Sequence, residues 1–125
     1  MKALALLAGF AIGCAHPQCP AAYHADTARS ARLEALLQSD PEARPLLSAT
    51  PALVCFAPGV ESVSTNEALL LDQSQPDDAL AARMAHLLLH RSRGQTRTSG
   101  NGPDEAEANA LERRVLSRLT TRPPR

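Results

Sequence analysis

Two histidines, His86 and His90, lie four residues apart in a stretch from 77 to 93 whose apolar residues have helical spacing. A helix turns about 100° per residue, so both side chains share one face with Arg83. Imidazoles four residues apart on a helix can bind one metal ion. Histidines packed between helices have the same spacing, so the pattern predicts either a metal site or a pair of interface histidines.

The first phrase around these histidines is Ala82-Arg83-Met84-Ala85-His86, followed by Leu87-Leu88-Leu89-His90. A second phrase is Glu105-Ala106-Glu107-Ala108-Asn109-Ala110-Leu111. Together they resemble the ImmA/IrrE-type zinc metallopeptidases, in which a His-Glu-x-x-His motif runs into Leu-Leu-x-His and an acidic phrase follows. The resemblance covers about residues 53 to 119 and includes the order of the predicted elements.

In that family two histidines and a later carboxylate hold zinc, and the Glu after the first His activates water. The resemblance implies that Glu107 occupies the third ligand position. Here Ala82 replaces the first His and Arg83 replaces the catalytic Glu. A guanidinium can neither ligate zinc nor act as a general base near neutral pH. The resemblance therefore implies a peptidase-like fold that has lost its catalytic residues, a pseudoenzyme.

Two functions are compatible with these residues. The first is a binding or scaffolding module with an unknown protein partner and no cofactor. The second is a metal-dependent hydrolase that holds zinc in a shifted site of His86, His90 and Glu107. This second function needs a general base other than the residue at position 83.

Loss of the metal would leave the Glu107 carboxylate without its cation. The sequence predicts that Glu107 points toward the core side of its helix, where a charge needs a partner. Arg83 is the predicted partner, in an ion pair that replaces the metal. If both side chains instead reach solvent, such a pair contributes only about 0 to 1 kcal/mol.

The N-terminus has the order of a secretory signal: Lys2, an apolar run over residues 3–12, then small residues. The run is too short to span a membrane. Ala11-Ile12-Gly13-Cys14 resembles a bacterial lipobox, which predicts cleavage after residue 13 and a lipid on Cys14. Ala15 after the cysteine favours an outer-membrane lipoprotein facing the periplasm or the cell surface. Plain secretion and a buried N-terminal helix are the alternatives.

Export would place the three cysteines in an oxidising compartment, where an unpaired thiol is uncommon. Lipidation of Cys14 leaves Cys19 and Cys55 as a predicted disulfide. A loop of that size stabilises the fold by about 3–4 kcal/mol in the chain-entropy model.

The 125 residues are 44% hydrophobic but only 2% aromatic, so any core must be built from Leu, Ala and Val. Basic and acidic residues number 13 each, which gives a net charge of zero and argues against nucleic acid as a partner. The length suits one small domain. A cationic cluster follows Glu112, and its simplest interpretation is a solvated helix end.

The predicted fold is α+β: two N-terminal helices, a small antiparallel sheet, the helix that carries the histidines, and a C-terminal helix. The strands are predicted at Leu53 to Ala57 and Ala68 to Asp72, joined as a hairpin or within one sheet. The predicted organisation is a signal peptide (1–13), a lipidated cysteine and tether (14–25), a domain (26–120) and a disordered tail (121–125).

Overall fold

A computed structural model describes residues 18–95 and 103–121. The chain has the predicted α+β class, with four helices and a three-stranded sheet in the described part. The elements are, in order, α1 (Thr27–Gln38), α2 (Arg44–Ala49), β1 (Leu53–Ala57), β2 (Val63–Ser64), β3 (Ala68–Asp72), α3 (Asp77–Ser92) and α4 (Pro103–Thr120). The predicted signal peptide, Cys14, the segment 96–102 and the tail beyond 121 lie outside the described residues. No helix in the described ranges is long and apolar enough to cross a membrane.

An aspartate precedes each of the two N-terminal helices. Asp26 caps α1 by accepting the backbone N–H of Arg29 at 3.0 Å, and α1 buries Leu33 and Leu37. Asp40 accepts the backbone N–H groups of residues 42 and 43 in the turn that leads into α2. Asp40 therefore caps a turn, and the short helix itself begins at Arg44.

The sheet is mixed, so the predicted antiparallel pairing of β1 with β3, as a hairpin or as two strands of one sheet, is wrong. The strand order is β1, β3, β2. β1 runs parallel to β3, with Leu53 opposite Ala68, whereas the two-residue β2 pairs antiparallel with β3. The physical reason is that the chain reverses direction twice between residues 58 and 67, once on each side of β2. β3 is consequently the central strand, and all five of its residues are buried.

The disulfide between Cys19 and Cys55 is confirmed, with a Cα–Cα distance of 5.7 Å. His24 adds to the edge of β1 through an antiparallel bridge to Phe56, with both backbone hydrogen bonds formed. A small apolar cluster forms on this side of the sheet, where Cys19 and Tyr23 pack on Cys55 and its neighbours in β3. Residues 19–24 therefore belong to the folded domain.

Arg29 joins α1 to the connection that leads into α3. Its Nε donates to Asp77 Oδ1 at 2.9 Å and its Nη1 to the carbonyl of Gln73 at 2.6 Å. The guanidinium carbon also lies 5.8 Å from the centre of the Phe56 ring. These contacts fix the start of α3 against α1.

α3 lies at the centre of the helical layer, and nine of its sixteen residues are buried. α1, α2 and α4 all pack on it. α4 contributes an apolar stripe of Leu111, Val115 and Leu119. The pairs Arg83 with Glu112 and His90 with Glu105 run in opposite orders along the two helices, so α3 and α4 are antiparallel.

Candidate functional site

His86 and His90 face α4 and are almost completely enclosed. Each side chain is 2% exposed, and the two ring centres are 5.1 Å apart. Their separation of four residues on α3 brings them onto one face. The Ala82 side chain is also buried on this helix and has no polar group to offer the site.

Glu105 in the first turns of α4 joins the two histidines. Its Oε1 lies 3.3 Å from Nε2 of His86 and 2.8 Å from Nε2 of His90. The three possible ligand atoms lie within 4.8 Å of one another. Two imidazole nitrogens and a carboxylate oxygen are donors that zinc prefers in proteins.

The other ring nitrogen of each histidine also has a partner. Nδ1 of His86 lies 2.8 Å from Oε1 of Glu112, and Nδ1 of His90 lies 2.8 Å from Oε1 of Gln95. Gln95 donates its amide N–H to Asp104 Oδ2 at 2.7 Å. Because an amide nitrogen must donate to that carboxylate, this contact turns the amide oxygen of Gln95 toward His90.

Arg83 balances the carboxylate beside His86. Its Nη1 donates to Oε1 of Glu112 at 3.1 Å and lies 3.3 Å from Nδ1 of His86. Burial raises the pKa of Glu112, but the hydrogen bond from His86 and the interactions with Arg83 outweigh it, so this pKa lies below its usual value. Glu112 is therefore ionised near neutral pH and acts as an acceptor.

The predicted ion pair between Arg83 and Glu107 is not formed. Glu107 is 54% exposed and binds Arg93 with both carboxylate oxygens, each at 2.8 Å. Positions 105 and 107 are two residues apart, which is about 200° around a helix, whereas 105 and 112 are seven apart and nearly aligned. Glu107 thus points away from the histidines, and Glu105 replaces it in the cluster.

Glu105, Glu112 and Gln95 are the residues of this cluster that the sequence prediction missed. The seven-residue interval between the two glutamates was the available signal, because it places them on one face of α4. Gln95 follows the end of α3 and has no such regular relationship to either histidine.

A polar cleft of about 250 Å³ adjoins Arg83 and Glu112. Ser62 and Asp72 from the sheet side also line it. Asp72 accepts hydrogen bonds from Ser74 and from the backbone N–H of Gly59, which lower its pKa to about 2. The cleft therefore has a carboxylate that is charged near neutral pH on one side and the ion pair on the other.

Comparison with protein-family models, with curated proteins and with solved structures found no match. The decisive contrast is between His86, His90 and Glu105, which could bind a cation, and Arg83, which carries a cation beside them.

Proposed function

We propose that the chain is an exported, lipid-anchored binding domain of the bacterial cell envelope that does not perform peptidase chemistry. The observation that supports this proposal is the contact of Arg83 with both Glu112 and His86. Arg83 stands where the resemblance to zinc peptidases implies a water-activating carboxylate.

Peptide hydrolysis at such a metal site needs a general base within reach of the attacking water. Arg83 cannot accept a proton near neutral pH. Glu112 is the carboxylate beside it, and its Oε1 already accepts from Arg83 and contacts His86. Glu105 contacts both histidines through one oxygen. The acidic groups around the cluster are thus engaged in holding it together.

Metal-dependent hydrolysis is the second candidate function, and one observation favours it. His86, His90 and Glu105 form a set of two nitrogen donors and one oxygen donor, which is the set found in several catalytic zinc sites. The ligand set differs from the predicted one because Glu105 takes the place of Glu107.

A hydrolysis assay separates the two functions. The full chain, supplied with excess zinc, is incubated with unfolded casein beside a Glu105→Gln variant. The binding-domain proposal expects no cleavage above the buffer control from either protein. Cleavage by the wild type that disappears in Glu105→Gln would overturn the proposal in favour of the hydrolase.

The location is tested through Cys14. Metabolic labelling with a fatty-acid analogue should label the wild type and not Cys14→Ser, and labelled protein should sediment with outer-membrane vesicles. Labelling that persists in Cys14→Ser, or wild-type protein that stays in the cytoplasm, would remove the lipid-anchor part of the proposal. An exported wild type that carries no label would replace the anchor with plain secretion.

A further inference from the structure

In the cluster of His86, His90 and Glu105, the atoms that can accept a hydrogen bond outnumber the hydrogen atoms available to them. A neutral imidazole carries one N–H, and a carboxylate carries none. Three heavy atoms meet here, Nε2 of each histidine and Oε1 of Glu105, at separations of 3.3 and 2.8 Å from the oxygen. The position of the hydrogen on each ring depends on the partner of its other nitrogen.

For His90 the outer partner decides the tautomer. Gln95 presents its amide oxygen to Nδ1 at 2.8 Å, because its amide nitrogen donates to Asp104. An amide oxygen is only an acceptor, so Nδ1 carries the hydrogen. The Nε2 lone pair of a neutral His90 therefore points at Oε1 of Glu105.

For His86, Nδ1 lies 2.8 Å from Oε1 of Glu112 and 3.3 Å from Nη1 of Arg83. Arg83 donates to that same Oε1 at 3.1 Å, so the shorter contact of Nδ1 is with a carboxylate that accepts from both groups, and Nδ1 of His86 also carries the hydrogen. Its Nε2 lone pair then faces the same oxygen of Glu105 at 3.3 Å. Three electron-rich atoms thus converge in a space that is almost closed to solvent, and only a cation between them removes the repulsion.

We propose that this cation is a divalent transition metal, zinc in the first instance, bound by Nε2 of His86, Nε2 of His90 and a carboxylate oxygen of Glu105. Metal-binding histidines usually donate their second N–H to a carboxylate or another oxygen acceptor, which fixes the tautomer and the ring orientation. Glu112 and Gln95 have that relationship to His86 and His90.

Two of the three separations between the donors are close to those around an ion of this size. Zinc bonds of about 2.0–2.1 Å place neighbouring donors of a tetrahedron about 3.3–3.4 Å apart. The distance from His86 to Glu105 already has this value at 3.3 Å, and the distance of 2.8 Å from His90 must open by about half an ångström. Three protein donors leave a fourth position for water or for a ligand from outside the domain.

Arg83 does not prevent binding, because its charge is already balanced. Its guanidinium is paired with Glu112 at 3.1 Å, so the ion meets a neutral pair and the single negative charge of Glu105. Arg83 then acts as a positioning residue that holds Glu112 against His86. The alternative occupant is a proton on one of the two Nε2 atoms. It would convert that histidine to imidazolium, whose N–H would donate to Glu105 without any metal.

Metal analysis distinguishes the two occupants. The chain is purified without added metal, stripped with chelator, and dialysed against zinc or cobalt in separate experiments. We expect one zinc ion per chain, a rise in melting temperature with zinc, and with cobalt the intense visible absorption of a tetrahedral site. Glu105→Gln should bind zinc about 10- to 100-fold more weakly or not at all, since a ligand matters at least as much as its supporting partners.

Glu107→Gln is the matched control. Glu107 is an acid on the same helix, two residues from Glu105, but it is exposed and bound to Arg93. This variant should bind zinc as the wild type does. A wild type that keeps no metal and shows no shift of melting temperature with zinc would overturn the proposal in favour of the bound proton. Equal zinc affinity in Glu105→Gln and the wild type would place the metal elsewhere and also overturn it.

Circular dichroism of the stripped proteins checks that Glu105→Gln remains folded. Should it unfold, Glu112→Ala provides a milder test, in which the loss of the acceptor for His86 lowers zinc affinity while both histidines and Glu105 remain. Unchanged affinity in Glu112→Ala would then overturn the proposal, because the supporting partner of His86 would have no effect on the metal. The zinc site rests on the proposed function and names the ligand that the domain binds. The two proposals can fail separately. Casein cleavage would remove only the binding-domain proposal, whereas absence of bound metal would remove only the zinc site.

Discussion

Arg83 lies 3.1 Å from Glu112 across the interface between α3 and α4, and the two side chains are 29% and 27% exposed. Exposed ion pairs contribute about 0–1 kcal/mol, whereas breaking a fully buried pair costs about 3–5 kcal/mol. This pair is intermediate in burial. We expect Arg83→Ala and Glu112→Ala each to lower the free energy of unfolding by about 1–2 kcal/mol.

The loss in the double variant should be smaller than the sum of the two single losses by about 1 kcal/mol, because the second substitution no longer breaks an intact pair. Urea denaturation of the four proteins measures this coupling. Arg83→Ala combined with Glu107→Ala is the control, and its losses should add within about 0.5 kcal/mol. Coupling between positions 83 and 107, with none between 83 and 112, would contradict the arrangement described here.

Arg29→Lys should destabilise the domain more than Arg32→Lys. Arg29 is 13% exposed and donates from several nitrogens to Asp77 and two backbone carbonyls, whereas Arg32 is 58% exposed and makes one contact to the same Asp77. A lysine ammonium cannot reproduce the planar geometry of the guanidinium. We expect a loss of about 1–3 kcal/mol for Arg29→Lys and less than about 0.5 kcal/mol for Arg32→Lys in urea denaturation. Equal losses would mean that the Arg29 contacts do not join α1 to α3 in solution.

Reduction of the bond between Cys19 and Cys55 should lower the free energy of unfolding by about 3–4 kcal/mol, since the cysteines are 36 positions apart. The small apolar cluster on that side of the sheet would also lose its covalent attachment to the N-terminal segment. The measurement is guanidinium denaturation with and without dithiothreitol. Cys14→Ser should retain the response to reductant, and the double variant Cys19→Ser with Cys55→Ser should lose it. A response that survives in the double variant would assign the effect to another thiol.

Acid should weaken the contact between the α2 turn and α4. Hydrogen bonds from Arg114 and Arg118 lower the pKa of Glu42 to about 2, from an ordinary value of 4.5. Since the pKa is lowered by folding, this contribution is fully present above pH 4.5 and is lost as the pH falls toward about 2. Asp72, whose pKa is also about 2, acts in the same direction.

The measurement is the free energy of unfolding at about pH 6 and about pH 3, for the wild type and for Glu42→Gln. The variant should lose less stability on acidification, because it has no carboxylate at this position to protonate. Glu67→Gln, a change at an exposed acid, should behave as the wild type does. An identical loss in the wild type and in Glu42→Gln would show that this ion pair contributes nothing to the acid response.

The helices, the two five-residue strands and the disulfide were predictable because each depends on a local pattern: apolar spacing, turn residues or the parity of cysteines. The direction in which β1 and β3 pair was not predictable, since their apolar runs fit parallel and antiparallel ladders equally. The deciding element is β2, which has only Val63 and Ser64 and is too short to produce an alternating pattern.

The candidate site was predictable only in part. The spacing of His86 and His90 placed both on one face of α3, where they are found. The choice between Glu105 and Glu107 was wrong because a helical wheel places these residues on opposite edges of the apolar stripe. Which edge faces the histidines is set by the packing of α4 against α3, and that packing depends on side chains far apart in sequence.

The disulfide also determines how the domain responds to a pulling force on its two ends. Residues 20–54, which include α1 and α2, lie inside the loop closed by Cys19 and Cys55, so they carry none of the load. An extended chain reaches about 3.3–3.6 Å per residue, so the bond shortens the fully stretched molecule by about 120 Å. The load passes instead through Cys55 to the end of β1 and its ladder with β3. Formation of the disulfide therefore limits the extension of the chain and makes the sheet the element that resists the pulling force.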